Sequence, residues 1–390
     1  MKYANRMNNL GTETAFEVLA RARELEAQGR NIVHLQIGEP DFDTPGNVTQ
    51  AAIDALKKGE THYTPSAGIL PLRQTIADYI AKDRGMKVAA ENVVVTPGGK
   101  PVLFYTIFAC VNPGDEVIYP NPGFPIYESV IELVGATPVP IPLREQNEFR
   151  LDVKELEKLI TPKTTMIILN SPHNPTGSVL TDKDLEQIAA LAVKHDLWVL
   201  SDEIYSRIIY QGKHNTIAAL PGMQQRTILM DGYSKTYAMT GWRLGYGVME
   251  PQLAKHVARL CTNNHSCVTS AVQFAGIEAL KGPQESVTKM VAEFQRRRGV
   301  IVEGINRIKG FKCLMPHGAF YAFPNIRDTG LKAKELQVQL LEKAGVALLA
   351  GTAFGAHGEG YLRFSYANSI EQIREGLKRV EEHMGAAVAR

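Results

Sequence analysis

The chain is poor in the features that mark metal, disulfide and membrane proteins. Its four cysteines, Cys110, Cys261, Cys267 and Cys313, fit neither a CxxC pair nor a zinc spacing. They read as reduced thiols of a cytosolic protein. The histidines form no HExxH pattern, which leaves a metal site without support. No apolar run approaches the length of a bilayer span, and Met1 to Leu10 is polar, without the apolar core of an export signal. Charge of neither sign dominates: a net charge of +2 gives nucleic acid and membrane surfaces no reason to bind. Gly98-Gly99-Lys100 lacks the hydroxyl residue and the earlier glycine of a Walker loop. Gly245-Tyr246-Gly247 lacks the third glycine of a dinucleotide fingerprint. No internal repeat or low-complexity linker separates one part of the chain from another. The expectation is a soluble, cytoplasmic protein.

At 390 residues the chain exceeds one ordinary core, so two closely joined domains are expected. Helical periods and short apolar runs alternate, which predicts an α/β fold. A first helix is predicted from Glu13 to Gln28, stopped by Gly29, and further helices from Val48 to Lys57 and from Leu70 to Arg84. Seven short apolar strands follow: Asn92 to Thr96, Glu116 to Tyr119, Thr137 to Ile141, Met166 to Asn170, Leu197 to Ser201, Thr227 to Met230, and Arg243 to Val248. Several lack polar alternation, as strands covered on both faces should. Thr181 and Asp184 form a capping-box pattern ahead of one helix. From about Pro283 the pattern changes to a long charged helix, strands near Ala319 to Phe323 and Tyr361 to Ser365, and a helix from Ile370. Residues 45–280 are therefore read as a large domain, and 1–44 with 281–390 as a smaller, discontinuous α+β domain. The glycine-rich stretch from Gly351 to Gly360 reads as a surface turn.

Three of these strands end in unusual polar loops: Asn170-Ser171-Pro172-His173-Asn174-Pro175-Thr176-Gly177, Ser201-Asp202-Glu203-Ile204-Tyr205, and Asp231-Gly232-Tyr233-Ser234-Lys235. Ligands of an open α/β sheet sit beyond the carboxyl ends of its strands, so the loops should share one crevice. Together they offer an amide, a carboxylate, a phenol and a lysine, with Arg243 close behind. Pyridoxal phosphate needs such a set: an amine to hold it as an imine, an anion at its ring nitrogen, and cationic or N–H partners for its phosphate. Lys235 is the candidate imine former, Asp202 the ring partner and Arg243 the phosphate clamp. Tyr205 and Asn174 are candidates for bonding the ring hydroxyl oxygen.

At this point the chain resembles a class I aminotransferase of the fold-type-I pyridoxal-phosphate enzymes, closest to the prokaryotic aspartate aminotransferase subgroup. The resemblance covers nearly the whole length. It is carried by Gly38-Glu39-Pro40-Asp41-Phe42, Tyr63-Thr64-Pro65, Gly98-Gly99-Lys100, Asn174-Pro175-Thr176-Gly177, Ser201-Asp202-Glu203-Ile204-Tyr205, the run from Ser234 to Gly245, and Leu362-Arg363-Phe364-Ser365, in family order and at family spacing. It implies a mostly parallel seven-stranded sheet between helices, with Lys235, Asp202 and Tyr205 as catalytic groups. Gly99, Lys100 and Ser234 would lie at the phosphate, and Phe124 would stack on the ring. A cis Asn174–Pro175 bond is implied as well. Tyr63 would reach the phosphate of a neighbouring subunit, which implies a homodimer with shared sites. Arg363, with Asn174 and the backbone at Gly38, would take the substrate α-carboxylate. The sequence departs from many relatives at Gly232, where they carry a phosphate-binding serine.

The resemblance further implies a ping-pong transfer from an L-amino acid to a 2-oxo acid such as 2-oxoglutarate, through pyridoxamine phosphate. Lys100, together with Thr12, is the expected reader of an aspartate or glutamate side chain, since no arginine lies between Arg259 and Arg296. The plain alternative for Lys100 is a solvated lysine at a helix start. Alanine or aromatic donors, or a lyase reaction on the same fold, are the competing enzymatic readings. A regulatory protein that binds the cofactor as a ligand would need a DNA-binding domain, which nothing before Leu10 provides.

Overall fold

A computed structural model describes residues 2–388. All seven predicted strands join one sheet. Its spatial order is Val93–Thr96, Gly245–Val248, Thr227–Gly232, Trp198–Asp202, Thr164–Asn170, Glu116–Asn121 and Thr137–Pro142. Gly245–Val248 runs antiparallel to both its neighbours, and the other pairings are parallel. The architecture is therefore the α/β, mostly parallel arrangement expected from the pattern.

The strands are apolar throughout because both faces are covered. Alternate residues point to opposite faces of a strand. Val94, Met166, Ile168, Ile228 and Met230 pack with the helices Lys100–Cys110, Ile126–Leu133 and Pro251–Asn264. Val93, Val95, Leu229 and Val248 pack with Gly46–Lys57, Leu70–Arg84 and Ser270–Lys281 on the other face. Ile167, Leu169 and Val199 continue that second face further along, against Asp182–Lys194. The Thr181–Asp184 capping box forms as the spacing predicts.

Toward the C-terminus, helices Glu285–Ile305 and Ile370–Val388 bury Phe294, Ile301, Ile305, Ile373 and Leu377 in a separate apolar cluster. A three-stranded antiparallel sheet of Leu349–Ala350, Leu362–Ser365 and Tyr321–Ala322 accompanies them. The early strand Val33–His34 pairs parallel with Val346–Ala347, so the first residues meet the last third of the chain. The first helix covers Thr14–Ala27, and Gly29 takes the left-handed conformation (φ 86°) that ends it.

Gly351 to Gly360 is not the expected surface turn. Its two short 3-10 turns are partly buried, and Phe354 points inward. The glycines allow close backbone approach: a Cβ on Gly351 would lie 2.1 Å from the Gly358 carbonyl oxygen.

Behind the sheet ends lies a buried ionic cluster that sequence patterns do not reveal. Arg84 donates to Glu203 at 3.1 Å and to Asp231 at 3.3 Å. His214 stands 2.6 Å from Glu203, while Thr216 and Ser201 also donate to that carboxylate. Burial works to raise the Glu203 pKa, but His214, Arg84 and Thr216 hold it down to about 2. The cluster ties the strand carrying Asp202 to the strand carrying Gly232. Arg84→Met should destabilise the protein by about 3–5 kcal/mol, because buried Asp231 loses its cation and buried Glu203 keeps only His214. Urea unfolding measures the loss, and one below about 1 kcal/mol would show that the cluster does not hold these strands.

Candidate active site

Strand register brings the three polar loops together. Asn170 is level with Asp202, Asp202 with Met230, and Gly232 with Gly245, which also pairs with Thr96. The loops therefore emerge at one edge of the sheet and line a cleft of about 440 Å³. Gly38, Gly99, Lys100, Phe124, Asn174, Asp202, Tyr205, Ser234, Lys235, Arg243 and Arg363 all face it. Tyr63 does not: it is 89% exposed, away from the cleft of its own chain.

Asp202 lies at the buried floor. Burial pushes its pKa up to about 6, against two hydrogen bonds that favour the anion. The Tyr127 hydroxyl donates to Oδ2 at 2.6 Å, and the Ile204 amide donates to Oδ1 at 3.2 Å. Tyr127 is fully buried and went unnoticed in the sequence, where it is one aromatic of an ordinary apolar helix.

Lys235 Nζ donates to the Gly38 carbonyl at 2.6 Å. Burial lowers its pKa to about 8; the carboxylates of Glu39 and Glu13 oppose that shift, and Arg363 and Lys100 add to it. Glycine is required at position 38, since a Cβ there would meet the Tyr321 hydroxyl at 2.1 Å. That hydroxyl in turn bonds Tyr205 at 2.7 Å, so the Tyr205 phenol engages Tyr321 here.

Arg363 is buried and held on all sides. Its guanidinium stacks 4.5 Å from the Tyr321 ring and 4.8 Å from Phe354. It donates to Asn174 Oδ1 at 3.0 Å and to the Gln36 carbonyl. Asn174 follows the backbone expected of it: the Asn174–Pro175 peptide is cis, and its amide donates to Asn170 Oδ1 at 2.9 Å.

At another wall, helix Lys100–Cys110 opens on the cleft with Gly99 as an N-cap that has no side chain to accept from the first-turn amides. Pro101 suits the first turn, where a missing N–H costs nothing. Arg243 adopts a left-handed backbone (φ 57°) and packs against Gly98, donating to the Thr240 carbonyl at 2.7 Å. A Cβ on Gly98 would lie 2.4 Å from its Nη2. Position 232, where the sequence lacks a serine, lies at a close approach of two strands. A Cβ on Gly232 would stand 3.0 Å from the Gly245 Cα, where adjacent strands approach closely, while Ser234 faces the cleft instead.

Lys100 is 48% exposed, sits 5.5 Å above the Phe124 ring and pairs with Glu13. Thr12 does not line the cleft; its neighbour Glu13 does. Glu13, Tyr321 and Phe354 are thus cleft residues that motif reading missed, because each arrives from a segment without a polar loop motif.

Residues 30–380 match the profile of the family described as aminotransferase class I and II. The chain is 43% identical over 361 residues to an aromatic-amino-acid aminotransferase 2 of Thermococcus litoralis, covering 91% of this chain and 92% of that protein. It is 42% identical to an aspartate aminotransferase of Pyrococcus abyssi, covering 92% and 93%. A solved structure of the aspartate aminotransferase of Thermus thermophilus with maleate superposes with a TM-score of 0.94 at 35% identity, covering 98% of this chain and all of that one.

The Asp202 pKa of about 6 exceeds the ordinary 3.8, so the fold binds this proton more tightly than the unfolded chain does. Ionising Asp202 therefore removes stability as pH rises from about 4 to about 6. In cofactor-free protein, the stability gained by Asp202→Asn should grow across that window and level off above it. Tyr127→Phe should move the upper end of the window to higher pH. Urea unfolding across the range tests this, and an unmoved window would mean that Tyr127 does not hold the carboxylate ionised.

Proposed function

We infer the cofactor, substrates and assembly of this enzyme from one premise: the chain belongs to the class I and II aminotransferase family and is a transaminase. The residues of the cleft fit pyridoxal phosphate. Lys235 offers an amine that is partly neutral near pH 8, Asp202 a buried carboxylate, and Phe124 an aromatic face. Gly99, Ser234 and Arg243 gather N–H, hydroxyl and guanidinium donors at the start of a helix, an arrangement suited to a phosphate. When bound, the cofactor supplies an aldehyde that forms an imine with an amine, and a ring that takes up the electron pair left at the α-carbon.

The protein's own groups do the rest. Asp202, kept anionic by Tyr127 and the Ile204 amide, holds the proton on the ring nitrogen. Arg363 takes the α-carboxylate of the donor, its plane fixed between Tyr321 and Phe354 so that the two N–H bonds point one way. The Lys235 amine takes up the α-proton and returns it. A donor amino acid leaves as its 2-oxo acid, and an acceptor such as 2-oxoglutarate leaves as an amino acid.

The preferred donor is aspartate or glutamate. One observation carries this reading: besides Arg363, a second cation not claimed by the phosphate, Lys100, lines the same cleft as Lys235. Two cations flanking one amine suit a dicarboxylic substrate. An aromatic donor is the second reading, favoured by the apolar walls at Ile37, Phe124, Leu349 and Phe354 and by the engagement of Lys100 with Glu13.

Residues 45–280 form the large unit and residues 1–44 with 281–390 the small one, the cleft lying between them. The enzyme works as a homodimer in the cytoplasm, with Tyr63 serving the partner's site. The strong exposure of Tyr3, Met7, Phe16, Tyr63 and Leu70 supports such an interface. No helix of the described residues is long and apolar enough to cross a membrane.

Lys235→Ala should lower kcat by about 10⁴-fold or more and abolish the borohydride-fixable adduct. Persistence of that adduct would refute the assignment. Lys100→Met should lower kcat/KM for aspartate by about 10- to 100-fold, the ~1.5–3 kcal/mol of a charged hydrogen bond, and change phenylalanine little. Equal losses for both donors in steady-state assays would remove Lys100 as the side-chain reader.

A further inference from the structure

We propose that Glu13 is a specificity-determining residue: its carboxylate is a built-in counter-ion for Lys100, which a donor bearing a second carboxylate must displace and a donor with an uncharged side chain leaves in place. The proposal rests on the reading of Lys100 given above and adds a residue that opposes it.

Glu13 stands immediately before helix Thr14–Ala27, at its N-cap. An acidic side chain there ordinarily accepts a hydrogen bond from the first turn of its own helix. This one makes no such bond. It reaches instead to Lys100, at the start of a different helix, and both residues line the cleft. The Glu13 side chain is only 20% exposed, so its charge faces inward. That charge acts on Lys235, Arg363 and Tyr321, the groups around the donor's own position.

The consequence follows from charge balance. With Glu13 in contact, Lys100 presents a neutralised pair beside the apolar face of Phe124, and a neutral side chain can lie against it without stranding a charge. A carboxylate on the donor must win Lys100 from Glu13, so its gain is the difference between two ion pairs rather than the whole of one. Glu13 thereby lowers the preference for dicarboxylic donors and broadens the range of side chains the cleft accepts.

Equilibrium binding to the holoenzyme tests this with two probes that cannot react, succinate and butyrate. They differ by one carboxylate against a methyl. Glu13→Gln should tighten succinate by about two- to fivefold, the scale of a half-exposed ion pair, and leave butyrate unchanged. The ratio of kcat/KM for aspartate over phenylalanine should rise in parallel. Lys100→Met should erase the succinate preference, and adding Glu13→Gln should not bring it back, because no cation remains there for the second carboxylate. Succinate affinity unchanged by Glu13→Gln, while Lys100→Met still weakens it, would overturn the role of Glu13 alone. Succinate affinity unchanged by Lys100→Met would overturn the reading of Lys100 beneath it.

Discussion

A carboxylate that must stay ionised where water does not reach is the constraint from which most of this site follows. Asp202 ends a strand in the middle of the sheet, and burial pushes its pKa up to about 6. Tyr127 and the Ile204 amide restore the anion from below, leaving the cleft side open for a cationic partner. The next residue, Glu203, points away from the cleft into the Arg84 cluster, so two adjacent acids serve opposite faces of one strand end. One face holds a charge for chemistry. The other uses charge to fix the strand that carries it.

Close backbone approach is the second requirement, and glycine meets it at the points where the cleft is narrowest. Gly38 lets the Tyr321 hydroxyl come up under the segment that accepts from Lys235. Gly98 leaves room for the Arg243 guanidinium, and Gly245 lets its strand lie against the Gly98–Gly99 turn, where a Cβ would stand 2.5 Å from the Gly98 carbonyl carbon. These contacts join segments that are far apart in sequence, and a side chain at any of them would displace a group lining the cleft.

The fold was largely legible because sheet strands covered on both faces leave an unambiguous apolar pattern, and because Gly29 and the Thr181–Asp184 box mark helix ends by local chemistry. The site was legible where its residues come in motifs: Asn174, Asp202, Lys235, Arg243 and Arg363 all face one cleft. What stayed hidden depends on tertiary approach. Tyr127 is one aromatic in an apolar helix until Asp202 is placed above it. Tyr321 and Phe354 acquire meaning only through the guanidinium they sandwich. The stretch from Gly351 to Gly360 was misread because glycine density signals a loose turn and a tight one alike; only the approach of Gly351 to Gly358 separates them. Gly232 is the reverse case: the departure is visible in sequence, and the nearness of Gly245 to it is not.

The charges of the cleft explain why one wall is left to set specificity. Its cations are Lys235, Arg363, Arg243 and Lys100; its carboxylates are Asp202, Glu39 and Glu13. In the proposed function, three of the cations have partners common to every turnover: an aldehyde for Lys235, a phosphate for Arg243, an α-carboxylate for Arg363. Asp202 is assigned there to the ring nitrogen, and Glu39 already accepts from Thr240. Lys100 and Glu13 are left facing each other, at the wall proposed to meet the donor side chain. A lysine there without its acid would favour dicarboxylic donors strongly and leave an unmatched charge beside all others. Paired, the two groups make that wall nearly neutral while keeping a cation available to any substrate able to compete for it.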